Sequence, residues 1–328
     1  MTLAFAAFTQ RGEALARRLA ERFGGSVTRI NKENPLSDWT AQQFSQKDGL
    51  VFVGAVGIAV RAIAPHLRHK TTDPAVVVLD EGGRFSIPLV SGHLGGANQL
   101  AQEIAAYLGA IPVITTATDG RGLFAVDSWA KAQGCLVKEP ERIKLVSSKV
   151  LDGKQVHLRC PWPISGEKPD EVFLTEEEEC DAAVTFDREE NTTLHLIPKA
   201  LTLGVGCRKG TSQAALETAF QALLREQNFA PEAFGQAASI DLKANEPGLL
   251  AFCAAHGWDL KTYAAEELAQ VPGDFTLSSF VTQITGVDNV CERAAVRASW
   301  GDLIQKKWKG AGVTFAVALA PLRLDWRW

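Results

Sequence analysis

Short apolar runs alternate with amphipathic helical patterns through the first 130 residues, and this alternation limits the fold more than any other feature of the sequence. Four runs have the length and the Val, Leu, Ile and Phe content of strands: Leu3–Phe8, Leu50–Val56, Ala75–Leu79 and Ile111–Thr115. Helical spacing of apolar residues separates them, most clearly over Gly92–Leu108. Strands and helices that alternate in this way predict an open, mostly parallel sheet covered by helices on both faces.

The pattern weakens after residue 130 and resumes as a second strand and helix series at residue 201. The intervening region holds weak strand patterns at 184–186 and 193–197 and an acidic run at 176–179, which is typical of a solvated face. A chain of 328 residues is also longer than one core usually supports. We predict an α/β fold of two open, mostly parallel αβα sheet domains, residues 1–130 and 200–328, joined by a small mixed α+β middle module, residues 131–199.

Charge and cysteine usage exclude several classes of protein. The net charge of −4 gives no global attraction for nucleic acid or for an anionic membrane, so neither is predicted as a partner. No apolar run approaches the roughly 20 residues that cross a bilayer, and the first residues lack the basic region of a signal peptide. We therefore expect a cytoplasmic protein. The six cysteines form no CxxC pair, so we predict neither a zinc site nor a disulfide scaffold, and no metal ligands are assigned.

Four segments place glycine and polar residues where strands are predicted to end and helices to begin. Such positions collect binding sites in α/β sheets, because helix N-termini present unpaired N–H groups. The first segment contains Gly54, Gly57 and Arg61. It lacks the GxGxxG spacing of a dinucleotide site, so a tight turn with a surface arginine is the simpler interpretation.

The second segment is Ser91-Gly92-His93-Leu94-Gly95-Gly96-Ala97-Asn98. Ser91 is a good N-cap, but three glycines in the first turns of a helix would each cost about 1 kcal/mol of helix propensity. Close approach of a ligand would explain them. His93 beside that opening could hold a proton near neutral pH, although a lone histidine is more often structural.

The third segment, which contains Gly206, Cys207, Arg208, Lys209 and Thr211, follows an apolar strand and opens a helix. Backbone amides beside two cations are typical of an anion-binding site. Cys207 is either an activated thiolate beside those cations or, more simply, a small packed residue.

The fourth segment contains Asp288, Asn289, Glu292 and Arg293. Asn289 and Glu292 have the spacing of a capping box, which explains both without a ligand. The capping box does not account for Asp288 or Arg293. Asp288 is either a general base on a loop or a turn former.

Taken in order, these segments resemble the CbiG family, the cobalt-precorrin-5A hydrolases of anaerobic cobalamin synthesis. The resemblance is carried by GAVGIAVRAIAP, KTTDPAVVVLDE, IPLVSGHLGGAN, IPVITTATD, LGVGCRKGTS, TGVDNVCERAAV and GVTFAVALAP. The last three also resemble the corrin protein CobE. The middle region carries no motif.

The resemblance implies a hydrolase that opens the ring-A δ-lactone of a cobalt-containing corrin precursor and releases acetaldehyde. The substrate is a tetrapyrrole-derived polycarboxylate that carries the cobalt itself, so no cofactor is predicted. His93 is the first candidate base, followed by Glu103 and Asp288. Predicted substrate-binding residues are Gly54, Gly57, Arg61, Ser91, Gly92, Gly95, Gly96, Asn98, Gly206, Arg208, Lys209, Thr211 and Arg293.

Two other classes of function stay open at this point. A nicotinamide-dependent enzyme would need a dinucleotide at Gly54–Gly57, and a noncatalytic corrin-binding or handover protein is suggested by the CobE-like part. Homodimer formation and transient contact with neighbouring enzymes of the pathway also stay open as interactions with protein partners.

Overall fold

The computed structural model describes residues 1–69, 72–93, 95–116, 122–188, 194–278, 282–283, 286–310 and 312–328. Contacts divide the chain into two compact units, Met1–Ser128 with Val150–Gly153 and Trp129–Lys149 with Lys154–Trp328. Among the described residues, no helix is long and apolar enough to span a membrane.

The first unit is built on one six-stranded sheet. Its strands are β1 Leu3–Ala7, β2 Ser26–Arg29, β3 Gly49–Val53, β4 Ala75–Leu79, β5 Phe85–Val90 and β6 Ile111–Pro112. Its helices are α1 Gln10–Phe23, α2 Leu36–Gln46, α3 Val56–Ile63 and α4 Ala97–Leu108. The strand order is β2-β1-β3-β4-β5-β6, and every neighbouring pair is parallel except β4 with β5.

Both faces of this sheet are covered by helices, as the sequence predicts. Phe5 and Ala7 of β1 lie in an apolar cluster with residues of α1 and α4, whereas Ala4 and Ala6 lie in a second cluster with Trp39 of α2 and residues of α3. Because neighbouring side chains of a strand point to opposite faces, the uninterrupted apolar run of β1 supplies both layers.

The second unit holds two five-stranded sheets. The strands of the first are β7 Cys135–Val137, β8 Val156–Arg159, β10 Val172–Thr175, β11 Ala182–Val184 and β12 His195–Pro198, in the order β10-β8-β11-β12-β7. A separate short pair joins β9 Ile164–Ser165 to β18 Leu324–Asp325. Two helices, α5 Val126–Ala132 and α6 Ile143–Leu151, contain residues of both units.

The other sheet of this unit contains β13 Leu201–Cys207, β14 Phe234–Ile240, β15 Asp259–Tyr263, β16 Asp302–Gly310 and β17 Val313–Leu319, in the order β15-β14-β13-β17-β16. It is mixed, because β13 pairs in parallel with β14 and antiparallel with β17. The helices of this region are α7 Gln213–Glu226, α8 Pro247–His256, α9 Ala265–Ala269 and α10 Cys291–Ser299.

The α/β fold is therefore confirmed, with two corrections to the predicted elements. The predicted helix Gly92–Leu108 begins only at Ala97, because residues before it form a loop that ends at Gly96 with φ of 86°. Strand β13 extends past the predicted end at residue 205 to Cys207. The helix predicted near residues 279–284 falls largely outside the described residues.

Candidate functional site

The structure places the first two glycine segments at opposite edges of the six-stranded sheet. An edge here is the border of the sheet along which strands begin or end, and not an outermost strand. Gly54 follows the carboxyl end of β3, which runs parallel to β4. Strand β5 runs antiparallel to β4, with Val90 opposite Val76, so the loop after β5 lies at the edge where β4 begins. Strand β5 is the antiparallel exception in this mostly parallel sheet, so the loop that begins at Ser91 lies at the opposite edge from Gly54.

The first segment has a structural explanation in this fold. A Cβ on Gly54 would lie 2.7 Å from the Phe8 ring, so packing against that ring requires glycine here without any ligand. The guanidinium of Arg61 folds back towards Gly57, since a Cβ on Gly57 would lie 3.7 Å from Arg61 Nη2. Arg61 therefore points to the edge of the sheet opposite the Ser91 loop.

The loop before α4 is closed by its own backbone. The amides of Gly96, Ala97 and Asn98 donate to the carbonyls of His93, Ser91 and Gly92 over 2.9–3.0 Å. A Cβ on Gly95 would lie 2.2 Å from Ser91 Cβ, and one on Gly92 would lie 2.8 Å from Asn98 Oδ1. These contacts within the loop explain the glycines that the sequence attributes to a helix opened for a ligand.

Ser91 carries the clearest sign of backbone strain in this loop. Its φ is 57°, in the left-handed region that residues with a Cβ rarely adopt. The sequence predicts that Ser91 caps α4, but the N-cap residue of this helix is Gly96. Instead the hydroxyl of Ser91 donates to the carbonyl of Asp73 over 2.8 Å. Strained residues in tight loops concentrate at functional sites, where the surrounding contacts hold them.

His93 in this loop contacts a carboxylate that sequence reasoning does not find. Nδ1 of His93 lies 3.2 Å from Oδ2 of Asp127, which is only 5% exposed. The other oxygen of Asp127, Oδ1, is buried and has no hydrogen-bond partner among the described residues. The two residues are 34 positions apart, so no spacing in the sequence signals the pair.

Two further predicted residues lie on α4. Asn98, buried in the first turn, donates from Nδ2 to Thr116 Oγ1 over 3.1 Å, which connects the loop to the chain after β6. Glu103 is exposed and accepts a hydrogen bond from Gln99 Nε2 over 2.9 Å. The role of Glu103 as a general base stays a prediction.

The third segment forms part of the β13 strand and the turn after it. Gly206 lies within the strand, where a Cβ would meet Thr314 Oγ1 at 2.4 Å. The hydroxyl of Thr211 donates a hydrogen bond to the Arg208 carbonyl. Arg208 and Lys209 are exposed, as an anion-binding role needs.

One backbone amide of this turn is already used by a carboxylate of the protein. Gly210 N donates to Oε1 of Glu246 over 2.5 Å, and Lys243 Nζ lies 3.1 Å from Oε2 of the same residue. The Gly210 amide and, next, Lys243 hold the pKa of Glu246 below its usual range. The predicted anion site is therefore partly filled by Glu246, which sequence reasoning misses because it lies 36 residues away.

Cys207 at the end of β13 is half-buried, and burial raises the pKa of its thiol, although Lys243 opposes that shift. A thiol with a raised pKa forms little of the thiolate that acts as a nucleophile. We expect Cys207→Ser to retain most of the turnover of the wild type. A large loss of kcat in a variant with an unchanged melting temperature would contradict this expectation.

The fourth segment is held by its own ion pair. Arg293 binds Asp288 through two hydrogen bonds, Nε to Oδ1 at 2.7 Å and Nη2 to Oδ2 at 3.1 Å, and its Nη1 donates to the carbonyls of Leu268 and Val271. The hydrogen bonds from Arg293 lower the pKa of Asp288. A carboxylate with a lowered pKa is a weaker base, so this geometry favours the turn-forming interpretation of Asp288 and a positioning role for Arg293.

The predicted capping box is only half present. Asn289 accepts from the Glu292 amide over 2.9 Å, but the carboxylate of Glu292 turns away and accepts from the amides of Thr276 and Lys307 over 2.8 and 2.7 Å. Glu292 is fully buried. It therefore fastens α10 both to the preceding loop and to β16, instead of capping the helix. This segment packs on the third one, since a Cβ on Gly204 would lie 1.8 Å from the carbonyl oxygen of Cys291.

Comparison with known proteins supplies the remaining evidence. Three family models match in order: cobalamin synthesis G N-terminal over residues 38–119, cobalamin biosynthesis central region over 124–198 and cobalamin synthesis G C-terminus over 201–318. The chain is 34% identical to a cobalt-precorrin-5A hydrolase of Priestia megaterium over 85% of this chain and 80% of that one. It is 32% identical to a cobalt-precorrin-5A hydrolase of Salmonella typhimurium over 97% and 98%. A solved structure of CobE, from the cobalamin (vitamin B12) biosynthetic pathway, matches 37% of this chain and 91% of its own length at 27% identity, with a TM-score of 0.35.

Proposed function

The chain belongs to the CbiG family of cobalamin-synthesis proteins, and on this premise we propose that it is a cobalt-precorrin-5A hydrolase acting through His93. The structural observation that carries the proposal is the His93–Asp127 contact on a strained loop of the N-terminal unit. Ring-A lactone opening and release of acetaldehyde, to give cobalt-precorrin-5B, complete the proposed reaction. The cobalt ion is part of the substrate.

The contact with Asp127 sets which nitrogen of His93 can take a proton. When Nδ1–H donates to the carboxylate, the neutral ring carries its lone pair on Nε2. A neutral imidazole with one oriented nitrogen is what a general base requires. His93 lies in the loop before α4 and not within the helix, so the carboxylate of Asp127 and not the helix N-terminus orients its ring.

The proposed reaction then needs two proton removals. His93 takes a proton from water as the oxygen adds to the lactone carbonyl, and the ring C–O bond breaks to give a carboxylate and an alcohol. Removal of the alcohol proton next breaks the adjacent C–C bond. The electron pair of that bond moves onto the macrocycle, which takes up a proton, and the two-carbon piece leaves as acetaldehyde.

The test of this function is incubation of the purified protein with cobalt-precorrin-5A and measurement of acetaldehyde. Stoichiometric release over several turnovers supports the hydrolase. Binding of the substrate with no acetaldehyde would instead support a noncatalytic handover protein.

We also propose the domain boundaries and the setting on the same premise. Residues 1–130, 131–199 and 200–328 are taken as N-terminal domain, middle module and C-terminal domain, with the cytoplasm as the compartment. The separate sheets within residues 1–112, 135–198 and 201–319 support these divisions. The corrin intermediate is the proposed partner.

Asp127→Asn is expected to lower kcat about ten- to hundredfold, which corresponds to the loss of one hydrogen bond to a charged group at roughly 1.5–3 kcal/mol. An Asn side chain can donate to Nδ1, which would move the ring proton to Nε2 and remove the base. The melting temperature should not fall, because the substitution removes a buried negative charge whose Oδ1 has no hydrogen-bond partner among the described residues, and this lowers the cost of desolvation. A matched control is Glu217→Gln, since Glu217 binds His256 over 2.8 Å in the other unit.

The opposite pattern would contradict the role of Asp127. A structural carboxylate predicts a lower melting temperature and a nearly normal kcat in Asp127→Asn. The ¹⁵N chemical shifts of the His93 ring, assigned by their loss in His93→Asn, report the tautomer directly and do not depend on turnover.

A further inference from the structure

A second feature of the first unit lies outside the four glycine segments described above. A groove of about 340 Å³ opens between α2 and the described residues on either side of positions 70 and 71. Its polar lining comes from Ser45, His66, Arg68, Thr72 and Asp73, and its apolar lining from Ala41, Phe44 and Pro65. The ring of His66 packs against that of Phe44, with centroids 5.8 Å apart.

The groove lies at the same edge of the sheet as His93. Asp73 directly precedes the start of β4, and the loop after β5 reaches this edge because β5 is antiparallel. The hydrogen bond from Ser91 Oγ to the Asp73 carbonyl joins the two segments. Ser91 and His93 are two residues apart, so their Cα atoms lie within roughly 7 Å of each other.

Two side chains of the groove can donate hydrogen bonds to an anion. Arg68 is exposed and His66 is half-buried, and both side chains can donate hydrogen bonds. The one carboxylate of the lining, that of Asp73, accepts the Arg68 amide with Oδ1 at 3.2 Å and Oδ2 at 2.9 Å. Asp73 therefore holds the backbone of Arg68 in place. The guanidinium of Arg68 is the strongest hydrogen-bond donor to an anion in the groove.

We infer that this groove is a substrate-carboxylate subsite, in which Arg68 and His66 hold one acetate or propionate arm while His93 acts on the lactone. The inference rests on the proposed function, because that function supplies a polycarboxylate substrate. A tetrapyrrole-derived macrocycle carries such arms around its rim, so one arm can be held beside the reacting ring. It also moves the expected anion contact of this unit from Arg61, at the opposite edge, to Arg68.

Equilibrium binding and steady-state kinetics together test the subsite. In the full-length protein, Arg68→Gln should raise KM about tenfold with kcat nearly unchanged, because a carboxylate arm that does not itself react is bound equally in the ground and transition states. Arg68→Lys should recover part of the loss, since it restores the charge but not the two-pronged geometry. Arg61→Gln should raise KM less than Arg68→Gln, and Arg11→Gln, an exposed arginine of α1, should match the wild type.

The same change is measured without turnover in a His93→Asn background, as the Kd for cobalt-precorrin-5A with and without Arg68→Gln. A tenfold weaker Kd supports the subsite even if the wild type releases no acetaldehyde, which would overturn the proposed reaction alone. If the two Kd values are equal and the wild type does release acetaldehyde, the subsite alone is overturned. A larger effect of Arg61→Gln than of Arg68→Gln, or no binding by the His93→Asn parent, also contradicts it.

Discussion

His93→Asn is expected to lower kcat by about a hundredfold or more, the usual contribution of a positioned general base, while KM changes much less. The Asn side chain is close to the imidazole in size and polarity but cannot take up a proton at neutral pH. Because the hydrogen bonds that close the loop around His93 are donated by the backbone amides of residues 96–98, the variant should fold normally. Acetaldehyde release and melting temperature are measured on the same sample.

His256→Asn is the matched control, since His256 also contacts a carboxylate but belongs to the other unit. It is expected to alter stability rather than turnover, because its ring stacks on Trp258 with centroids 4.4 Å apart. Normal turnover in His93→Asn would exclude His93 as the base and pass the role to Glu103 or Asp288.

Gly204→Ala is expected to destabilise the second unit by about 3 kcal/mol or more, at the upper end of the cost of overpacking a core. The added methyl group would lie 1.8 Å from the carbonyl oxygen of Cys291 and 2.9 Å from Ala295 Cβ. Backbone atoms cannot yield as a side chain can, so α10 would have to move away from β13. The free energy of unfolding in urea measures the loss.

Gly235→Ala provides the comparison, because Gly235 lies in the neighbouring strand β14 and its Cβ would first meet Lys199 Cγ at 3.4 Å. This is an ordinary contact with a flexible side chain. The control should stay within about 1 kcal/mol of the wild type, since the loss of glycine entropy in the unfolded chain helps slightly. Similar losses in both variants would mean that α10 is not packed on Gly204 as described.

The sequence predicts the strands of this protein well where both faces are buried. The run AVVVL at 75–79 has one interpretation, because a continuous valine-rich segment suits a central strand that is buried on both faces. Strand β16, with the sequence DLIQKKWKG, is not predicted, since an edge strand with charged and exposed residues lacks that signal. The same limit applies to the start of α4, where a folded glycine loop and a weak helix share one composition.

The candidate site is predicted only in its local part. The glycines and His93 stand out in the sequence, but the side chains that lie close to them in the fold do not. Whether β5 runs with or against β4 decides which loops meet, and the short connection of residues 80–84 is the signal for it, since a parallel crossover needs about a dozen residues or more. The partners of His93 and Gly210, which are Asp127 and Glu246, lie 34 and 36 residues away and are found only from the fold.

The contacts between α5 and the 324–327 segment have a consequence for the rate of folding. Trp129 Nε1 donates to the Asp325 carbonyl over 2.7 Å, Gln133 binds the same residue, and the rings of Trp129 and Trp326 stack. The two hydrogen bonds span 196 and 192 residues of chain. Such separations slow folding, because the entropy of closing the loop is lost before the contacts form. The second unit should therefore complete its structure late, after its separate sheets have formed, and this closing step should dominate its refolding kinetics.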